Sequence, residues 1–118
     1  MQVNRETAPH YVWGESCDGW ILSQSKALSI IHERMPPGSS EKRHHHTKAR
    51  QFFFVLSGQL TMDLGGEIYS LAPNSGIEIP PKAPHQATND SSAAVEFLVI
   101  STPTTQGDRV DHDPIISG

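Results

Sequence analysis

Residues 38–58 read Gly38-Ser-Ser-Glu-Lys-Arg-His44-His45-His46-Thr-Lys-Ala-Arg-Gln51-Phe52-Phe53-Phe54-Val55-Leu56-Ser-Gly58. His44 and His46 are two residues apart, so in an extended strand their imidazoles leave the same face while His45 leaves the other. Two imidazoles on one face are the beginning of a metal site. Gln51 heads the apolar run that follows, where its side-chain oxygen can join the same ion. In that run Gln51, Phe53 and Val55 share one face and Phe52, Phe54 and Leu56 the other. A strand apolar on both faces is covered on both. If the first face lines a cavity, the second must meet another sheet or a partner subunit.

The rest of the chain reads outward from this stretch as short strands between turn signals. Upstream, residues 1–19 are mixed and polar apart from Tyr11, Val12 and Trp13, and are expected to form an arm that packs its aromatics on the body. Trp20 to Ser25 and Leu28 to Met35 read as strands, the second ended by Pro36-Pro37-Gly38. Arg43 to His46 reads as a short strand after a loop from Ser39 to Lys42. Downstream, Leu60, Met62 and Leu64 alternate with Thr61 and Asp63, and Gly65-Gly66 predicts a two-residue hairpin into Ile68 to Leu71. Ile77 to Ile79, His85 to Thr88 and Ala93 to Ser101 complete the set, with Asn89 expected to hold a turn through its side chain. Residues 102–118 are polar and are expected to cross the surface as a tail. There is no long amphipathic helix and no repeat. The chain is therefore expected to be all-β, a sandwich or barrel, with one domain over 1–118: arm 1–19, barrel 20–101, tail 102–118.

With 118 residues, the length suits one domain with a modest core. The formal charge is −4, from 9 Lys and Arg against 13 Asp and Glu, and gives no electrostatic reason to expect nucleic acid. Cys17 is the only cysteine, so no intrachain disulfide can form, as suits a reducing compartment. No signal-peptide pattern opens the chain and no apolar run reaches the roughly 20 residues that span a bilayer. A cytoplasmic location away from membrane is expected.

His85, in the second polar cluster Pro80 to Asn89, is the fourth candidate ligand. Three histidines and one oxygen donor suit a divalent ion such as Zn, Fe, Mn, Ni or Cu, and ligand type alone does not choose among them. Four protein ligands on an octahedral ion leave two positions open, which is the mark of a working rather than a purely structural metal. A lone histidine is more often a satisfied side chain than a ligand; the combined spacing of the two clusters raises the odds. His10, His32 and His112 have no such spacing. Glu33, Glu78 and Glu96 lie in expected strands, where a base is conceivable but an outward ion pair is commoner. Arg43, Lys48 and Arg50 flank the first cluster, either as contacts to an anionic substrate or, more commonly, as a solvated loop face. Met35, Phe53, Val55 and Met62 read as cavity wall or core. No catalytic residue is assigned.

The spacing Gly38-x5-His44-x-His46-x4-Gln51-x6-Gly58 resembles the first signature of the cupin superfamily, which has glutamate where this chain has Gln51. Pro80-x-Lys82-x2-His85-x3-Asn89 is similar to the second signature. There Lys82 stands in a usual glycine position, and Asn74 occupies the place of the leading glycine. The resemblance covers residues 38–89 through its motifs and most of the chain through the flanking strands. It implies a small single-domain, RmlC-like jelly-roll barrel of two packed antiparallel sheets. It implies one divalent ion per chain, held by His44, His46, Gln51 and His85, and a homodimer.

Gln51 departs from the family at a position that matters. A carboxamide neither offsets the charge of the ion nor takes up a proton, so the site keeps its full charge and any base must come from elsewhere. This argues against a copy of the quercetinase-like dioxygenase mechanism. Cupin-type phosphomannose isomerases resemble this chain in having a glutamine among their zinc ligands. Two functions are carried forward: a metal-dependent enzyme acting on a small organic molecule, dioxygenase-like or isomerase-like, and a non-catalytic cupin that binds or senses a small ligand. A barrel without metal is disfavoured because all three histidines are present.

Overall fold

The computed structural model describes residues 2–112, and within them the chain is built of eleven strands and no helix. They are β1 (His10–Trp13), β2 (Cys17–Gln24), β3 (Ser29–Met35), β4 (His44–His46), β5 (Arg50–Ser57), β6 (Leu60–Leu64), β7 (Glu67–Leu71), β8 (Gly76–Ile79), β9 (His85–Thr88), β10 (Val95–Thr102) and β11 (Arg109–Asp111). Two sheets face each other. The first runs β1-β2-β3-β10-β5-β8 and the second β11-β4-β9-β6-β7. Every pairing between them is antiparallel. This is the double-stranded β-helix that the resemblance implied. No helix among the described residues is long and apolar enough to cross a membrane.

Alternation decides which side of each strand is inside. Gln51, Phe53 and Val55 are buried, whereas Phe52 and Leu56 are 40% and 39% exposed. Leu60 and Met62 are fully buried from the second sheet. With Met35, Ile79, Val95, Phe97 and Val99 they form one core between the sheets. The hairpin between β6 and β7 turns at Gly65 and Gly66, both at positive φ (60° and 98°), the conformation that a two-residue turn matched to strand twist requires. Asn89 is fully buried and holds its turn by donating to the carbonyls of Met35 (2.9 Å) and Ala93 (2.8 Å) and accepting from Ser91.

The two ends of the chain differ from expectation. Within the stretch read as an arm, His10–Trp13 forms β1, and β2 begins at Cys17, so the first sheet gains an edge hairpin. The reason is local: Tyr11, Val12 and Trp13 are strand formers, and Gly19 lets the Tyr11 ring lie flat on its backbone. A Cβ there would come within 2.3 Å of the phenol carbon. Within the stretch read as a surface tail, Arg109–Asp111 pairs with β4, Arg109 opposite His46 and Asp111 opposite His44. Just before it, the Asp108 carboxylate accepts from the amides of Thr47, Lys48 and Ala49 at 2.9–3.1 Å. A polar segment thus becomes a strand by satisfying the backbone of the histidine strand's open edge. Residues 113–118 of that tail lie outside the described residues.

Candidate metal centre

β4 presents His44 and His46 inward, 3% and 6% exposed, and β9 presents His85, fully buried. His44 and His85 are register partners across the two strands. One nitrogen from each of the three rings lies within 4.8 Å of the others, and the ring centroids of His44 stand 5.0 Å from His46 and 4.4 Å from His85. Gln51 comes from β5 of the opposite sheet, also buried. The second sheet therefore supplies three imidazoles and the first supplies the oxygen.

The protonation pattern suits ligation. His44 Nδ1 donates to the Lys42 carbonyl (2.7 Å) and His85 Nδ1 to the Ala83 carbonyl (3.0 Å). A carbonyl only accepts, so each ring carries its proton on Nδ1 and keeps a lone pair on Nε2. Burial holds the His44 imidazole down at about 3 and that of His46 at about 4, and lowers His85 as well. The three rings are thus neutral at physiological pH, as metal binding demands.

Three polar atoms at this place are buried without a partner: His46 Nδ1, Gln51 Oε1 and His85 Nε2. Gln51 Nε2 donates to the Ser101 hydroxyl (3.1 Å), which orients the carboxamide and leaves its oxygen bare. A buried acceptor left unpaired costs about 1–3 kcal/mol. Such atoms clustered on three elements fit a cation, which removes the cost at each of them at once.

The cluster opens on a cavity of about 210 Å³ whose wall includes Tyr11, Glu33, Glu41, Phe53, Ser101 and Arg109. A wider groove of about 610 Å³ adjoins it and shares Trp13, Glu41 and Arg109. Glu33 follows the inward alternation of β3 with Ser29, Ile31 and Met35. Burial, assisted by the nearby Glu41 and opposed by Arg109, pushes its carboxyl up to about 8. Burial pushes Glu41 up to about 7 against the Ala87 amide, which donates to it at 2.9 Å, and against Arg109. Burial, then Glu33, also raise the Tyr11 phenol.

Of the other residues singled out in the sequence, most turn away from this cavity. Glu78 pairs with Arg50 (3.2 Å), Glu96 with His32 (2.8 Å) and with Arg5, and Arg43 with Asp63 (3.1 Å). Lys48 is exposed and meets Asp108 through its backbone amide. His10 pairs with Asp18 (2.8 Å), and His45, on the outer side of β4, meets His112 at 2.7 Å. Glu41 and Arg109 were not anticipated. Glu41 sits in a loop whose path no local pattern reveals, and Arg109 is carried in by a strand that exists only through pairing with β4. Glu33 had a readable signal, a carboxylate in the inward register of an otherwise apolar alternation.

A family model described as a cupin domain matches residues 31–101. Among curated proteins, the uncharacterized protein MJ1618 of Methanocaldococcus jannaschii is 30% identical over 82 residues, 70% of this chain and 62% of that protein. The HTH-type transcriptional regulator PuuR of Escherichia coli (strain K12) is 25% identical over 81 residues, 69% of this chain and 44% of the regulator. The match thus spans less than half of PuuR and less than two thirds of MJ1618. Among solved structures, the polyketide cyclase RemF from Streptomyces resistomycificus superposes with a TM-score of 0.83 at 17% identity, covering 98% of this chain and 87% of that one.

Proposed function

The chain belongs to the cupin domain family, and from that premise we propose that it holds one divalent metal ion on His44, His46, Gln51 and His85 and acts on a small organic molecule bound beside it. The observation that carries this reading is the convergence of buried, unpartnered ligand atoms from both sheets on one cavity. The bound ion supplies Lewis acidity to a substrate oxygen.

The protein's own residues do the rest. Lys42 and Ala83 carbonyls fix the imidazole tautomers, and Ser101 fixes the carboxamide. Phe53 packs against His85, with ring centroids 6.2 Å apart, and keeps that side of the cluster dry. Arg109 supplies the positive charge at the cavity wall, its Nε tied to Asp111 at 2.6 Å. A molecule of several heavy atoms fits the cavity, and a longer one extends past Trp13 into the adjoining groove.

A second reading, a ligand-sensing cupin without turnover, draws support from the likeness to the regulator PuuR. We propose a homodimer in either case. It rests on the outer face of the first sheet, where Phe52, Phe54 and Leu56 lie beside Ile100 and Leu98.

The deciding experiment is elemental analysis of protein purified without a nickel column, alongside His46→Ala. Near-stoichiometric metal in the wild type and its loss in the variant are expected. Equal metal content in the two proteins would remove the site assignment.

A further inference from the structure

Gln51 leaves the cluster without the carboxylate that the family pattern places there, yet the cavity does not lack carboxyl groups. Glu33 enters it from β3, in the sheet opposite the histidines. Glu78 and Glu96 are consumed by outward ion pairs, and Glu67 lies exposed on β7. Among the described residues nothing donates a hydrogen bond to the Glu33 carboxyl and no ion pair holds it. Its neighbours are Tyr11, one strand pair beyond Gly19, and Glu41 with Arg109. Glu41 is partly held, because Oε1 accepts from the Ala87 amide. The cavity wall holds no serine or cysteine paired with a base. Ser101 accepts from Gln51, and Cys17 lines only the adjoining groove, where burial pushes its thiol up. Proton transfer is the chemistry that these side chains can perform.

We propose that Glu33 is the catalytic acid–base of the cavity, moving a proton to and from the carbon next to a carbonyl group of a small enolisable substrate, with Glu41 as its positioning partner. This deepens the metal reading above and rests on it. In the forward step the Glu33 carboxylate takes the proton, the C–H pair becomes the C=C bond, and the carbonyl pair moves onto oxygen to give the enolate. Return of a proton from Glu33 to that carbon restores the C–H bond and the carbonyl and regenerates the carboxylate, and a solvent hydrogen is delivered whenever the proton on Glu33 has exchanged with water first. No oxidant or reductant is required. The raised carboxyl pKa places Glu33 near the working range of a general base at mildly alkaline pH. Two carboxyl groups in one cavity resist ionising together; Glu41, held by the Ala87 amide, ionises first, so the proton of the pair rests on Glu33 until pH rises towards 8.

The test uses the full chain loaded with metal, with metal per chain counted in the same samples. Hydroxyacetone and pyruvate are the probes, and replacement of their carbon-bound hydrogen by deuterium in D₂O is followed by proton NMR. Catalysed exchange by the wild type is expected, with loss of at least about 100-fold in Glu33→Gln at unchanged metal content and partial activity in Glu33→Asp. In metal-free protein, the infrared band of neutral carboxyl should titrate away as pH rises, and its later component, lost near pH 8, should be missing in Glu33→Gln. Glu33→Gln exchanging at the wild-type rate, or a fully loaded wild type that exchanges neither probe, overturns the proposal while leaving the metal reading standing. A wild type that takes up no metal overturns the metal reading, and this proposal with it.

Discussion

Gln51 Nε2 donates to the hydroxyl of Ser101, 3.1 Å away, and this single bond decides which end of the carboxamide faces the histidines. The oxygen that remains is buried and unpartnered. Gln51→Glu puts a negative charge at that position, while the Ser101 hydroxyl can turn to donate to it. Tighter metal binding is expected in competition with a chromogenic chelator. Ser101→Ala should weaken binding by about tenfold, the usual effect of losing a group that orients a ligand. Unchanged affinity in both variants would show that Gln51 is not a ligand.

The metal-free protein should be most stable at mildly acidic pH, because two sets of buried groups pull in opposite directions. Glu33 and Glu41 have folded values of about 8 and about 7 against an ordinary 4.5. Their contribution is full below about 4.5 and is lost as pH rises through 7 and 8. His44 and His46 have folded values of about 3 and about 4 against an ordinary 6.5. Their contribution is present above 6.5 and is lost as pH falls. Thermal melts should therefore show a decline from pH 6.5 to 8.5 that is clearly smaller in Glu33→Gln. An equal decline in the two proteins would mean that Glu33 is ionised in the fold.

Lys82 and Asn74 stand where the family pattern has glycine, and both backbones are left-handed, at φ 69° and 66°. That conformation costs a residue with a Cβ about 1–2 kcal/mol, although glycine gives back part of the gain by loosening the unfolded chain. The Lys82 side chain is exposed, and its amide bond to the His46 carbonyl (2.7 Å) survives substitution. Lys82→Gly should therefore raise stability by about 0.5–1 kcal/mol, a rise in Tm of roughly 2–5 °C. A lower Tm would show that the lysine side chain contributes contacts of its own.

The outer face of β5 should be an interface between two copies of the chain. Phe52 and Leu56 leave it exposed with Phe54 between them, and a contiguous apolar patch of this kind marks an association surface. Sedimentation is expected to give a dimer for the wild type and a monomer for Phe52→Glu combined with Leu56→Glu. A monomeric wild type at high concentration would refute it.

The family, the all-β class and the gathering of His44, His46 and His85 were legible in the sequence because they rest on short-range rules. Alternation fixes which side chains share a face, so His44 and His46 had to point together and His45 apart. Turn residues fix where strands end, so the two motifs had to fall one hairpin apart. What the tertiary structure decided was which residues surround the histidine cluster. Glu33 was one of three equivalent glutamates until the pairing of β3 with β10 turned it inward and left Glu78 and Glu96 in surface ion pairs. Glu41 and Arg109 reach the cavity only because Ala87 and β4 offer backbone partners to a loop and to a segment without strand character of its own. Those contacts join residues more than 40 positions apart, and pairing at that range depends on which backbone groups the finished barrel leaves unsatisfied rather than on any local pattern.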